Sequence, residues 1–100
     1  SNPKLLFLDE PTTYLDIRYQ IEILNLVQKL NREFGITIVM VLHDINQAIH
    51  FSDQIIGLAA GKVLVKGAPG NVISAECIQK LYGIELGVTE IDGKKFVLTV

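Results

Sequence analysis

The chain has 100 residues, of which 49% are apolar and 20% are charged, so we expect one small folded domain and no extended disorder. Its formal charge of −2 argues against a surface that binds nucleic acid or anionic membranes through bulk positive charge. The single cysteine, Cys77, cannot form an internal disulfide, and no apolar run approaches the roughly 18 residues of a membrane span.

The first segment of the chain predicts a strand, a long helix and a second strand. Residues 4–8 (KLLFL) and 36–42 (ITIVMVL) are continuous apolar runs, which suits strands covered on both faces of a parallel sheet. Asp16 stands at the N-cap position of the helix and Gly35 at its predicted stop. This order predicts a βαβ unit with a right-handed crossover. The apolar face of the helix, with one residue every three or four positions, consists of Ile17, Ile21, Leu24, Val27, Leu30 and Phe34.

The second segment predicts a short helix, two hairpins and a last helix. Asp44 should cap the short helix. The stretch QIIGLAAGKVLVKG predicts a strand, a turn around Gly61 and another strand, and APGN breaks this pattern. Ser74 should cap the helix AECIQKLY, and Asp92-Gly93 between two strand-like runs predicts a second hairpin. The first part of the chain is therefore predicted to be α/β, and the second part to be a small mixed α+β extension.

Three chemically active side chains stand where the two strands of the βαβ unit should end. Asp9 and Glu10 close the first strand, and His43 closes the second. Since binding sites in parallel α/β sheets lie beyond the carboxyl ends of the strands, we expect these side chains to face one crevice. Adjacent acids on an extended chain point to opposite sides, so Asp9 could hold Mg²⁺ while Glu10 acts as a general base. The alternative is a pair of acids that merely ends a strand in solvent.

The stretch LLFLDEPTTYLD resembles the Walker B motif and D-loop of ATP-binding cassette (ABC) transporter ATPases, and VMVLHD resembles the H-loop of that family. The resemblance implies the C-terminal part of the parallel sheet of a P-loop NTPase. It further implies that Asp9 holds Mg²⁺, that Glu10 is the base for the water that attacks the γ-phosphate of ATP, and that His43 contacts this phosphate. Asp16 would lie at the interface between two ATPase subunits.

Further stretches point to one group within this family. PTTYLD, LHDINQA and GAPGNVISAECIQKLYG resemble the ATPases of importers for iron–siderophore complexes, haem or cobalamin. This resemblance implies an ATP-hydrolysing subunit that works as a homodimer on transmembrane permease subunits, peripherally at the cytoplasmic face of the cell membrane, with no nucleic-acid partner. Two alternatives stay open, namely an ATPase of a non-transport ABC protein and a non-catalytic docking module.

The phosphate-binding loop of an ATPase is missing from the sequence. No G-x-x-x-x-G-K-[ST] stretch occurs, nor do the Q-loop and signature segments that precede Walker B in the family. We therefore expect the C-terminal portion of a longer ATPase, inactive by itself, with a partial nucleotide-binding core at residues 1–60 and an extension at residues 61–100. By analogy with the family fold, the strands at residues 36–42 and 55–60 flank a gap. We expect these strands to pair with each other or to drive self-association, since exposed apolar edges are association sites.

Overall fold

The computed structural model describes residues 4–99 and divides the chain into two compact units, one ending at Asp44 and the other beginning at Ile45. The first unit contains β1 (Leu5–Asp9), α1 (Ile17–Phe34) and β2 (Thr37–Val41). The second unit contains α2 (Ile45–Phe51), β3 (Ile55–Ala59), β4 (Lys62–Gly67), α3 (Pro69–Val72), α4 (Ala75–Tyr82), β5 (Gly87–Ile91) and β6 (Lys94–Leu98). No helix within residues 4–99 is long and apolar enough to cross a membrane.

The first unit is the predicted βαβ unit. β1 and β2 pair in parallel, and their register ends with Asp9 opposite Val41. α1 connects the two strands and buries Leu24 and Val27, which belong to the predicted apolar face. The helix ends at Gly35, as predicted, because this glycine adopts the left-handed conformation (φ 67°) that terminates helices without a steric penalty.

The sheet of the first unit is covered on one face only, although its continuous apolar strands predicted cover on both. Leu5 and Phe7 are 69% and 61% exposed, whereas Leu6 between them is half-buried. In the described part of the chain this unit has one helix, and one helix can cover one face. The prediction of burial on both faces is therefore wrong for this chain. The exposed side, called the open face below, consists of Leu5, Phe7, Val39 and Val41.

The second unit contains both predicted hairpins. β3 and β4 pair antiparallel around the turn at Ala60 and Gly61. β5 and β6 also pair antiparallel, and the two residues that join them, Asp92 and Gly93, both have positive φ angles (52° and 77°). Two positive φ angles define the type I′ turn, for which Asp-Gly is a favoured sequence, so the turn signal in the sequence has a direct geometric cause.

The helices of the second unit were predicted in part. α4 begins after Ser74, whose Oγ accepts a hydrogen bond from the Cys77 N–H at 3.1 Å, and it ends at Gly83 (φ 70°). α3 was not predicted, because APGN was expected only to interrupt the preceding strand. Pro69 is the first residue of this four-residue helix, and its fixed φ suits that position. The first N–H group of a helix has no partner within the helix, so the missing N–H of proline costs no hydrogen bond there.

The core of the second unit brings its first helix and its last strand together. α2, β3, α4 and β6 each contribute to one buried cluster, and the thiol-bearing Cys77 of α4 is buried as well. The C-terminal hairpin is therefore part of the packed core of this unit and not an appended tail. The cluster consists of Ile49, Ile55, Ile73, Ile78 and Val97.

The strands at residues 36–42 and 55–60 do not pair with each other. Among residues 4–99, β2 pairs only with β1 and β3 pairs only with β4. Locality accounts for the pairing of β3 with β4, since a two-residue turn joins these strands at a lower entropic cost than a longer loop requires. The predicted closure of the gap by strand pairing is therefore wrong, and self-association stays a prediction.

The predicted division between residues 60 and 61 concerns the limits of a nucleotide-binding core and also stays a prediction.

Candidate functional site

The carboxyl ends of β1 and β2 bring Glu10 and His43 together. Parallel pairing places the last residues of the two strands, Asp9 and Val41, opposite each other. The Glu10 N–H then donates a hydrogen bond to the Val41 carbonyl at 2.9 Å, which anchors Glu10 to the end of β2. The His43 Nε2 contacts the Glu10 Oε1. Two of the side chains that we expected in one crevice therefore touch, and the pairing of the strands is the reason.

The contact between Glu10 and His43 is open to solvent. The side chain of His43 is 76% exposed and that of Glu10 is 38% exposed. Because a carboxylate only accepts hydrogen bonds, the His43 Nε2 is the donor in this arrangement and carries a hydrogen. An exposed contact of this kind contributes little to stability, so contacts with a bound molecule can replace it at little cost.

Glu10 has a left-handed backbone (φ 51°), which is uncommon for a residue with a side chain and costs roughly 1–3 kcal/mol. Two backbone hydrogen bonds hold it there: its N–H donates to Val41, and its carbonyl accepts from the Thr13 N–H at 3.2 Å. The extended chain thus ends at Asp9. The sequence argument assumed that Glu10 continues the strand and points to the side opposite Asp9, but strand alternation does not set the direction of Glu10. Backbone strain of this kind is concentrated at functional sites in proteins.

Asp9 is the exposed last residue of β1. Within residues 4–99, no group of three or more histidine, cysteine, aspartate or glutamate side chains could hold a metal ion. A closed protein metal site is therefore not formed by this part of the chain. A single carboxylate still fits Mg²⁺, which keeps several waters and binds through one or two carboxylates together with the phosphates of a substrate.

Asp16 stands at the predicted N-cap position of α1 without the predicted interaction. Its backbone is extended (ψ 156°), but its side chain makes no capping hydrogen bond. The capping prediction is therefore wrong for the side chain, and the backbone starts the helix through the Gln20 N–H, which donates to the Asp16 carbonyl at 2.9 Å. The side chain of Asp16 is exposed and takes no part in the contact between Glu10 and His43.

Tyr14, two residues before Asp16, has two properties that sequence reasoning missed. Its side chain is fully exposed, and its backbone is left-handed (φ 67°). No sequence signal could reveal this, because the left-handed region is favoured by glycine and asparagine and not by aromatic residues. Tyrosines are enriched in the contact surfaces of proteins, and Tyr14 is close in sequence to Asp16, the residue predicted to lie at a subunit interface.

Proteins with similar sequences are ATP-binding subunits of importers. Over 92 residues, or 92% of its length, the chain is 49% identical to the petrobactin import ATP-binding protein FpuC of Bacillus anthracis. Over 80 residues, or 80% of its length, it is 48% identical to the ferric enterobactin transport ATP-binding protein FepC of Escherichia coli K12. The chain belongs to the ABC ATPase family. No protein-family model matches it.

The chain spans about a third of these ABC relatives, namely 34% of FpuC and 30% of FepC. An inward-facing transporter described as of the metal-chelate ABC type matches 94% of the chain and 38% of its own, with a TM-score of 0.79 and 25% identity. The protein cbiO1 of Clostridium perfringens, part of the ABC transporter complex cbiONQ, matches 78% of the chain and 31% of its own, with a TM-score of 0.66 and 35% identity. These matches confirm the predicted α/β fold of the P-loop NTPase type.

Proposed function

We propose that this chain is a part of the ATP-hydrolysing subunit of an ABC importer for an iron–siderophore complex or a related metal chelate. The observation that carries the proposal is the contact between Glu10 and His43 at the carboxyl ends of two parallel strands. The names of FpuC and FepC, which specify petrobactin import and ferric enterobactin transport, support the substrate class.

The proposed reaction transfers the γ-phosphoryl group of ATP to water. Glu10 would orient the attacking water and accept its proton at a carboxylate oxygen. His43 would donate its Nε2–H to an oxygen of the transferred group, where negative charge is stabilised in the transition state. Their contact supports both roles, because the base and the group that donates a hydrogen bond to the phosphate must act on neighbouring atoms of one substrate.

Asp9 would hold Mg²⁺ together with the phosphates of ATP. The single exposed carboxylate at the end of β1 suits this ion as a ligand. When bound, Mg²⁺ supplies charge neutralisation at the phosphates. Asp9 would contribute the one protein ligand from this chain, and it would stand next to Glu10 in the sequence without sharing the task of Glu10.

The partners of the chain follow from the same proposal. Asp16 and Tyr14, both exposed, would lie at the interface with a second ATPase subunit. The subunit would act with transmembrane permease subunits as a peripheral protein at the cytoplasmic face of the cell membrane. Residues 1–60 would form the partial nucleotide-binding core, and residues 61–100 its extension.

ATP hydrolysis by the intact ATP-binding subunit that would contain this chain tests the proposal. Glu10→Gln keeps the size of the side chain but removes the base, so turnover should fall at least about 100-fold while ATP still binds. Glu22→Gln is the matched control, because Glu22 lies on α1 in an exposed ion pair with Arg18, and turnover should not change. Undiminished turnover in Glu10→Gln would remove Glu10 from its proposed role.

The same assay applies to the chain by itself. We propose that it does not hydrolyse ATP, because its sequence has no glycine-rich loop with which backbone N–H groups could bind the phosphates. Turnover by the isolated chain that Glu10→Gln abolishes would contradict this part of the proposal.

A further inference from the structure

Both backbone polar groups of Leu15, the residue between Tyr14 and Asp16, are hydrogen-bonded. The Leu15 N–H donates to the Thr12 carbonyl at 3.4 Å, and the Leu15 carbonyl accepts from the Gln20 Nε2 at 2.8 Å. A distance of 2.8 Å is ordinary for a hydrogen bond of this type, whereas 3.4 Å is long. Gln20 therefore provides the stronger of the two restraints on Leu15.

Gln20 holds the chain before α1 through its backbone as well as its side chain. Its N–H donates to the Asp16 carbonyl at 2.9 Å, and its side-chain amide reaches one residue further back, to the Leu15 carbonyl. Gln20 is half-buried in the first turn of α1, whereas Leu15 and Asp16 are exposed. Two consecutive carbonyls of the loop are thus fastened to one residue of the helix.

The restraint acts on the segment Tyr14-Leu15-Asp16, called the interface segment below. The ring of Tyr14 is fully exposed, and the side chain of Asp16 makes no capping hydrogen bond. Neither side chain therefore packs the segment into place, although the left-handed backbone of Tyr14 needs a surrounding structure that holds it. The hydrogen bonds of Leu15 supply this support while the side chains on either side stay turned to solvent.

We propose that Gln20 is a positioning residue that orders the interface segment for contact with a second ATPase subunit. This inference rests on the proposed function, in which Tyr14 and Asp16 lie at the interface between subunits. A segment that is ordered before binding loses less conformational entropy on binding, so the same contacts give a higher affinity. Gln20 therefore raises the affinity from within its own subunit. The alternative is that Gln20 only stabilises the start of α1.

The structural test compares Gln20→Ala with Gln28→Ala in this chain. Gln28 is also half-buried on α1, and its side chain makes no hydrogen bond within residues 4–99. Both changes remove the same group from the same helix, but only the first removes the bond to Leu15. NMR order parameters of backbone amides report fast local motion. They should fall in the interface segment of Gln20→Ala and stay at their wild-type values in Gln28→Ala.

The pattern of the order parameters separates positioning from helix stability. Amides in the middle of α1 should keep their order parameters in both variants. A fall along the whole helix in Gln20→Ala would show that Gln20 only stabilises α1, and the positioning role would fail. Unchanged order in the interface segment of Gln20→Ala would also overturn the proposal. Equal falls in Gln28→Ala would overturn it too, since a general loss of stability would explain them.

Gln20→Glu keeps the test decisive if Gln20→Ala does not fold. This change preserves the size of the side chain, but an ionised carboxylate only accepts hydrogen bonds and repels the Leu15 carbonyl. A negative charge in the first turn suits the helix dipole, so the bond is lost without a loss of helix stability. The order parameters of the interface segment should fall as in Gln20→Ala. Unchanged values in this variant would overturn the proposal.

The functional test measures the association of two intact ATP-binding subunits by sedimentation velocity in the presence of ATP and Mg²⁺. Gln20→Ala should weaken this association about tenfold, the loss that corresponds to ordering roughly one residue of backbone on binding. Gln28→Ala should leave the association unchanged. An unchanged association in Gln20→Ala, with the interface segment loosened, would overturn the inference.

The outcomes distinguish this inference from the proposed hydrolysis. Undiminished ATP turnover in Glu10→Gln would overturn the role of Glu10, whereas weaker association in Gln20→Ala would still support the role of Gln20. If Tyr14→Ala and Asp16→Ala leave the association of intact subunits unchanged, the segment does not lie at their interface and the inference fails, while the role of Glu10 stands. Intact subunits that do not associate at all would overturn the inference as well.

Discussion

Glu10 and Tyr14 hold left-handed backbone angles (φ 51° and 67°) that residues with side chains rarely adopt. For Glu10, two backbone hydrogen bonds hold this conformation. The ring of Tyr14 is fully exposed and gains no burial in the described part of the chain. Backbone strain of this kind is concentrated at functional sites in proteins, and we propose that Tyr14 lies in the interface around Asp16.

Substitution of Tyr14 measures this strain. Tyr14→Gly and Tyr14→Ala both remove the exposed ring, but only glycine adopts a φ of 67° without a steric penalty. We expect the free energy of urea unfolding to be about 0.5–1 kcal/mol higher for Tyr14→Gly than for Tyr14→Ala. This figure already includes the opposing effect of glycine, which makes the unfolded chain more flexible. Equal stabilities would show that this backbone angle carries no strain.

Most helices and strands of the chain could be predicted because their signals are local. Apolar periodicity predicted α1, the Asp92-Gly93 pair predicted the second hairpin, and Ser74 predicted the start of α4. The contact between Glu10 and His43 could be predicted because the carboxyl ends of parallel strands lie at the same edge of a sheet. The one-sided cover of β1 and the packing of α2 with β6 could not be predicted, because each depends on which distant segment lies nearby.

The two helix starts at Asp16 and Ser74 differ in a way that a matched pair of substitutions can measure. Ser74→Ala removes an observed capping hydrogen bond and should lower the free energy of unfolding by about 1 kcal/mol. Asp16→Ala removes a side chain that makes no such bond, so only its charge near the helix dipole is lost, worth less than about 0.5 kcal/mol. Urea unfolding of both variants gives the comparison. A larger loss in Asp16→Ala would mean that Asp16 caps α1 in solution.

Apolar side chains are unevenly covered in the molecule as a whole. The second unit has a cluster of five buried residues, whereas the first unit buries Leu24 and Val27 of α1 and leaves the open face in contact with water. A chain of this length can bury only a limited share of its surface, so an uncovered apolar face is a substantial loss of stabilisation. Contiguous exposed apolar patches of this kind are sites of association.

Self-association through the open face is therefore expected and can be measured by sedimentation velocity over a range of concentrations. Phe7→Lys places a charge on this face and should weaken the association at least about tenfold, the loss expected when one buried phenylalanine is removed. Phe34→Lys is the matched control, because Phe34 is 68% exposed at the end of α1 and lies outside the open face. A wild-type chain that sediments as a monomer at every concentration would contradict the expectation.

The open face also determines how the stability of this chain should respond to temperature. Unfolding normally raises the heat capacity by about 12–15 cal/mol/K per residue, because apolar surface becomes hydrated. Leu5 and Phe7 are largely hydrated before unfolding begins, so less new apolar surface meets water. The heat-capacity change per residue should therefore lie below this range, and the stability curve should be flatter. A second molecule that covers the open face would restore the usual curvature, together with the cold sensitivity that accompanies it.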